Sequence, residues 1–510
     1  MNKFIRLFNT IKYLKFIQIY YRLFYFVRNR FRKVIKFKYE FIKESNSTSL
    51  KLIDSCEYYS SCKDKEFHIL NLSKKFEFKI DWNFSDYGKL WTYNLTYFEY
   101  LKEKEDISLI YDFIQNISSV QDGLEPFPIS LRGINWIKFL VKYKIKDKKI
   151  DDNLYSQYYI LLDNLEYHLL GNHLLENGFS LLFGAYYFQD EILYIKAKEI
   201  LKKELKEQIL NDGAHFELSP MYHQIMLFRL LDCINLVKYN QWLANDGWLK
   251  EFLEEKANKM LGWLKNISYE NGDTPLFNDS ANFIAPSSNA LFSYADNLKL
   301  NIQNSILSQS GYRKIKKENY ECIVDIGEIG ASYIPGHAHA DTFNFELYIK
   351  NKPFIVDTGL STYNIGKQRN SERSTKAHNT VEINEISSSE IWGGFRVANR
   401  ANIIELVEKE DYIKTTHDGY RYKFGILHTR NLVFKKNKII ISDSLNKKCN
   451  ASARLHFYPD ITEDEIKNRI ITNHNSQITN YHYASGFNKT IKALVLEISF
   501  EKELKVEINI

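Results

Sequence analysis

The sequence predicts a chain built in two halves, a helical domain followed by an antiparallel β-sandwich. Three observations predict it. At 510 residues the chain exceeds what one hydrophobic core organises, so two or three domains are expected. From about Leu90 to Ser293, apolar residues recur at intervals of three and four, the spacing of a buried helical face. After about Leu300 the text turns to alternating, β-branched runs joined by turn residues. No helices are interposed, so the sheets are antiparallel.

Residues 1–45 read as a basic amphipathic segment. Eleven Lys or Arg and no acid lie between Met1 and Lys38, interleaved with Phe, Ile, Leu and Tyr at helical intervals. No apolar run there is long enough to span a bilayer, and no cleavable signal peptide is recognisable. Such a helix suits an anionic membrane surface. The alternative is a helix packed on its own domain with a solvated basic face. The rest of the chain is net acidic and carries no recognition module, which argues against nucleic acid as a partner.

Residues 46–300 open with two strand-like runs, EFHILNL and FEFKIDW, and continue as helices such as YSQYYILLDNLEYHLL and MYHQIMLFRLLDCINLV. Their short polar connections make neighbours antiparallel, as in a bundle, a solenoid or a closed toroid of helical hairpins. Residues 301–510 hold the strands, among them FNFELYI, PFIVDTG and KIIISDSL, enough for a large sandwich. Five scattered cysteines (Cys56, Cys62, Cys233, Cys322 and Cys449) argue against a disulfide framework and a zinc ribbon. The 35 Tyr and 34 Phe suit stacking on sugar rings, although codon bias accounts for such an excess as well.

The strongest local signal is Gly336-His337-Ala338-His339-Ala340-Asp341. On a strand, His337 and His339 share one face. One of them with Asp357 and His378 makes a two-His, one-carboxylate set suited to zinc. In the helical half, Gly171-Asn172-His173 opens a helix that carries Glu176. A polar loop ending in Ser219-Pro220 starts another, with Tyr222 in its first turn. A helix N-terminus offers unpaired N–H groups and positive partial charge to a carboxylate or phenolate. Taken singly, Tyr222 reads as a packed tyrosine and Asn172 as a helix cap or a site residue; three His and two Asp clustered between His337 and His378 favour a site there.

Together these segments resemble the heparinase II/III family of polysaccharide lyases over roughly Leu90 to Ile440. LWTYNLTYFEYL and SLRGINWIKFL are similar to its early helices, and GNHLLENG, DGAHFELSPMYH, PGHAHADTFNFEL, IVDTG and AHNTV to its site segments, in the family's order. The resemblance implies an incomplete (α/α) toroid packed on an antiparallel β-sandwich with the cleft between them. It implies that Tyr222 and His337 are catalytic, that Asn172 and His173 meet the substrate carboxylate, and that Glu176 is an active-site acid. It also implies that His339, Asp357 and His378 hold one divalent metal, usually zinc, in a structural role. Arg132, Arg373 and Arg396 are candidate anchors for carboxylate or sulfate groups on flanking sugars.

The implied reaction is β-elimination on an acidic polysaccharide. It removes the C5 proton of a uronic acid and expels the 4-O-linked sugar, so donors must neutralise the uronate while a base and an acid move the protons. The family's export to the periplasm would place the chain in the cell envelope; without a recognisable signal peptide, a cytoplasmic or membrane-peripheral location is the alternative. The competing readings are a metal-dependent glycan hydrolase, since HxH also opens such sites, and a non-catalytic glycan-binding envelope protein.

Overall fold

The computed structural model describes residues 3–242 and 247–510. Two amino-terminal helices, α1 (Lys3–Ile11) and α2 (Phe16–Val34), lie on the outside. A small antiparallel sheet follows, β1 (Ser61–Lys63), β2 (Glu66–Ile69) and β3 (Leu72–Lys75). EFHILNL supplies β2 and the first residue of β3, but FEFKIDW forms no strand. Phe76, Ile80 and Trp82 instead enter the helical core one by one, with no strand alongside to pair them.

The helical domain comprises α3 (Lys89–Tyr97), α4 (Ile107–Asn116), α5 (Pro126–Lys142), α6 (Lys148–Asp163), α7 (Gly171–Phe188), α8 (Glu191–Gln208), α9 (Pro220–Tyr239), α10 (Gly247–Ile267) and α11 (Ser288–Asn297). Side-chain caps start several of them. Asp147 accepts the N–H of Ile150, Asp190 those of Ile192 and Leu193, and Ser219 that of Tyr222. Pro126 and Pro220 fit at the first positions of α5 and α9, where an N–H would lack an intrahelical partner. Helices α3, α5, α7, α9 and α11 pack in succession as an inner row, with α4, α6, α8 and α10 outside. The result is an incomplete (α/α) toroid. Every residue of α7 except His173 is buried, as expected of an inner helix covered on all sides.

The β half begins at β4 (Tyr312–Lys317), which joins β5 (Tyr320–Asp325), β6 (Phe345–Ile349) and β7 (Lys352–Ile355) in one sheet. A second sheet has the order β17 (Ser476–Gly486), β18 (Lys489–Phe500), β15 (Ala451–His456), β8 (Val381–Ile383), and the bridge Ile355–Phe457 links it to the first. Facing them are six strands in the order β11 (Ile403–Lys409), β12 (Tyr412–His417), β13 (His428–Lys435), β14 (Lys438–Leu445), β19 (Glu503–Asn509) and β16 (Ile470–Ile471). A two-stranded ribbon, β9 (Ile391–Trp392) and β10 (Arg396–Val397), lies apart. Alternation sorts β13 and β14: Leu432, Phe434, Ile439 and Ile441 enter the core between the layers while their neighbours stay half-buried or exposed. The helical core continues into the first sheet through Tyr312, Ile323 and Tyr348, so the two halves share an apolar seam.

Candidate active site

The site forms where the first turns of α7 and α9 meet the segment 335–341. Ser219 caps α9: its Oγ accepts the N–H of Tyr222 (3.2 Å) and donates to the carbonyl of Asp279 (2.7 Å). Tyr222 is thereby fixed in the first turn. Its ring lies against the His337 imidazole, centroids 3.9 Å apart, and its hydroxyl is 3.0 Å from that of Tyr363. On the other side, α7 starts at Gly171, with φ +60°. A Cβ there would stand 2.9 Å from Glu217 Oε1 and 2.7 Å from Ile334, so only glycine lets Glu217 come this close. Glu217 takes both the backbone N–H (3.1 Å) and the side-chain amide (2.9 Å) of Asn172. The same amide nitrogen lies 3.3 Å from His337 Nε2. Phenol, imidazole and amide therefore meet at one place, between two helix N-termini.

Beneath them sits Asp279, fully buried. It accepts from His337 Nδ1 (2.8 Å) and His339 Nε2 (2.8 Å) and from both terminal nitrogens of Arg369, on α12 (Lys367–Glu372). Burial alone would raise the pKa of Asp279; Arg369 and the two imidazoles outweigh it and hold the carboxyl far below its ordinary range. With Nδ1–H given to Asp279, His337 keeps its lone pair on Nε2, facing Asn172. HxH therefore does not occupy a strand as expected: His337 ends a single 3₁₀ turn, Pro335–His337, and the ladder resumes only at Phe345. The shared carboxylate of Asp279, rather than a pleat, aligns the two rings.

The three residues expected to hold a metal are neighbours but do not form a closed ligand set. His378 donates Nδ1–H to Asp357 Oδ2 (2.8 Å), and its ring centroid is 5.3 Å from that of His339. His339 Nδ1, His378 Nε2 and Asp341 Oδ2 are buried without a hydrogen-bond partner. Two imidazole lone pairs beside buried carboxylates, each ring held through its other nitrogen by Asp279 or Asp357, fit the donor chemistry of a divalent cation. Among the described residues, no three His, Cys, Asp or Glu side chains stand as a closed ligand set.

His173 points elsewhere, to Glu166 Oε1 (2.9 Å) and the ring of Phe127. Burial opposes its charged form, but Glu166 overrides this and raises its pKa. Glu176 lies in a cavity of about 730 Å³, lined also by Tyr97, Phe127, Tyr222, Arg229 and Tyr363. Its carboxylate is 3.4 Å from Arg229, and burial pushes its pKa up to about 7 against that pull. Two of the candidate anchors are corrected. Arg132 is wholly buried, giving its guanidinium to Gln157 and to the carbonyls of Thr96 and Gly123. Arg373 is also buried, spent on the carbonyls of Ala338 and Gly394. Neither reaches a ligand; both are internal braces. Arg396 is exposed over Trp392, on a strand that packs against the His337 turn.

The family descriptions Heparinase II/III N-terminus and Heparinase II/III-like, C-terminal, match residues 150–301 and 304–502. The chain belongs to the heparinase II/III family. Within that family it is 26% identical over 330 residues to the heparin-sulfate lyase of Pedobacter heparinus, covering 58% of this chain and 46% of that protein. It is 23% identical over 341 residues to the heparin-sulfate lyase of Bacteroides stercoris, covering 59% and 47%. The aligned region thus spans about half the length of these curated relatives. The crystal structure of a heparan sulfate lyase from Pedobacter heparinus superposes with TM-score 0.54 at 18% identity, covering 88% of this chain and 81% of that one. That of heparinase III superposes with TM-score 0.65 at 16% identity, covering 86% and 80%. These heparinase structures carry the same architecture of helical domain and sandwich.

Four residues of this heparinase-type site escaped sequence reasoning. Glu217 lies inside a segment already singled out, two residues before the cap of α9. Asp279 and Arg369 lie in loop and short-helix text, FNDSAN and GKQRNSE, with no periodicity to mark them. Tyr363 is one of 35 tyrosines. Only tertiary contact distinguishes them.

Proposed function

We propose that the chain is a polysaccharide lyase that cleaves uronic-acid-containing glycans by β-elimination. The observation that carries this reading is the meeting of Tyr222, His337 and Asn172 between two helix N-termini. A uronate docked there would find the Asn172 amide and the positive ends of α7 and α9, the groups needed to stabilise charge developing on its carboxylate. His173, expected at the substrate carboxylate, is turned to Glu166 and would meet the uronate only by leaving that partner. His337 Nε2, its lone pair free of Nδ1, takes the C5 proton. The C4–O4 bond breaks, the C4–C5 double bond forms, and the departing oxygen receives a proton. Burial, with Asp279 and Glu217, raises the pKa of Tyr222, so the phenol enters the cycle protonated and serves as that donor.

The reading includes a divalent cation, zinc by donor type, held by His339, Asp357 and His378. It would fix the segment that carries His337 and takes no part in proton transfer. It includes an acidic polysaccharide as the substrate, Arg396 as an anchor for a flanking sugar, and a place in the cell envelope with residues 1–38 at an anionic membrane surface. The test is a panel of uronic-acid polysaccharides followed by the ultraviolet absorbance of an unsaturated uronate. Growth of that absorbance on at least one of them is expected. New reducing ends without it would replace the lyase by a hydrolase.

A further inference from the structure

Amphipathic helices on a protein surface turn their apolar face inward. Helix α2 does the reverse. Its polar side faces the protein: Gln18, only 1% exposed, donates to the Leu169 carbonyl (2.9 Å), Arg22 to that of His168 (3.2 Å), and Tyr25 to that of Leu165 (2.5 Å). Arg28 reaches Asp163 and Asn164 of the same loop. Its opposite side is an exposed stripe at spacings of three and four: Phe16, Tyr20, Leu23, Val27, Phe31 and Val34, with Leu23 62% and Val27 64% exposed. Helix α1 repeats the inversion. Arg6 binds Glu390 (2.8 Å) and Thr10 accepts from Trp392 (3.0 Å), while Phe4, Leu7, Phe8 and Ile11 are exposed.

We propose that α1 and α2 are an insertion surface for an anionic lipid bilayer, entered by their outward apolar stripes with the helices lying in the interface. This rests on the reading of residues 1–38 as a membrane contact and deepens it: the bases that hold the helices to the protein face inward, and the lipid meets hydrocarbon first. Lipid is favoured as the occupant by charge. No acid occurs before Glu40, and Arg30, Lys33, Lys36 and Lys38 are exposed around the apolar stripe, where headgroup phosphates would lie. No helix among the described residues is long and apolar enough to cross a membrane, so the contact is in-plane. Helix α2 hydrogen-bonds the loop 163–169 that leads into Asn172 and His173.

The experiment is sedimentation of the full chain with vesicles of phosphatidylethanolamine and phosphatidylglycerol, at low and high salt. Wild type is compared with L23E/V27E and with K33E/K36E. These side chains are exposed, so circular dichroism and thermal unfolding should match wild type in both variants. Insertion requires that L23E/V27E loses at least about tenfold in vesicle partitioning at both salt concentrations, whereas K33E/K36E weakens it only at low salt. Binding lost by K33E/K36E and kept by L23E/V27E overturns insertion but leaves an electrostatic membrane contact. No binding by wild type overturns both. Dimers that L23E/V27E disperses, without vesicle binding, assign the stripe to a second copy and overturn the proposal.

Discussion

At the scale of residues, the account turns on a few atoms around His337. Its Nε2 is available because Asp279 holds Nδ1, and Asp279 is held in turn by Arg369. The Tyr222 hydroxyl is hydrogen-bonded to that of Tyr363, so removing it takes away a proton donor and leaves the ring's packing on His337 in place. Tyr222→Phe is therefore expected to lower kcat by about 10²–10⁴-fold, with thermal stability and polysaccharide binding near wild type in calorimetry. Gly171→Ala tests the neighbouring contact. Its φ of +60° and the approach of Glu217 and Ile334 leave no room for a methyl group. A loss of about 1–3 kcal/mol in denaturant unfolding is expected, with a raised KM as Asn172 shifts. Unchanged stability and KM would show that the turn tolerates the Cβ. Tyr222, His337 and Asn172 were singled out because the short segments that carry them resemble the family's site segments; taken alone, Tyr222 reads as a packed tyrosine and Asn172 as a cap. Asp279 and Arg369 were not, because a lone Asp in one loop and a lone Arg ninety residues on acquire meaning only when folding closes their distance.

At the scale of elements, periodicity marked the helical region and, within it, α6 to α10, together with the alternation of β13 and β14, since burial on one face leaves its period in the text. It failed where burial is not periodic. FEFKIDW alternates yet sends single side chains into a helical core, and the histidine pair is set by a shared carboxylate. Within the sandwich, β13 and β14 carry a buried network: Asp443 accepts from Arg430 (2.8 and 3.0 Å) and His428 (2.7 Å), and Arg430 also reaches the carbonyls of Phe343 and Asn379. Burial alone would raise the pKa of Asp443, but Arg430 and His428 depress it well below its ordinary value. A depressed folded-state pKa gives stability that is present above the unfolded value of about 4 and lost as pH falls below it. Asp443→Asn is expected to cost about 3–5 kcal/mol at neutral pH, by stranding Arg430. The deficit against wild type should shrink in acid-unfolding curves as pH falls below 4. A deficit that does not change with pH would assign the loss to packing.

At the scale of the whole molecule, the switch from helices to strands near residue 300 was plain, because the two periods differ and neither domain interrupts the other. The direction of the amino-terminal helices was not. Periodicity locates an apolar stripe but is silent on which side the protein occupies, and here polar donors of α2 satisfy the carbonyls of loop 163–169 while the stripe is left outside. The two halves share an apolar seam and supply Tyr222 and Asn172 from one side, His337 from the other. That junction is the central claim, and the chemistry of the new chain end tests it most directly. Cleavage of a uronic-acid polysaccharide in heavy-oxygen water, followed by mass spectrometry, separates the two ways of breaking the bond. Elimination is expected to give an unsaturated uronate end, lighter than the hydrolytic one by one water, with no solvent oxygen added in the bond-breaking step. A saturated uronate end, with the heavy oxygen on the new reducing end of the other fragment, would contradict the account.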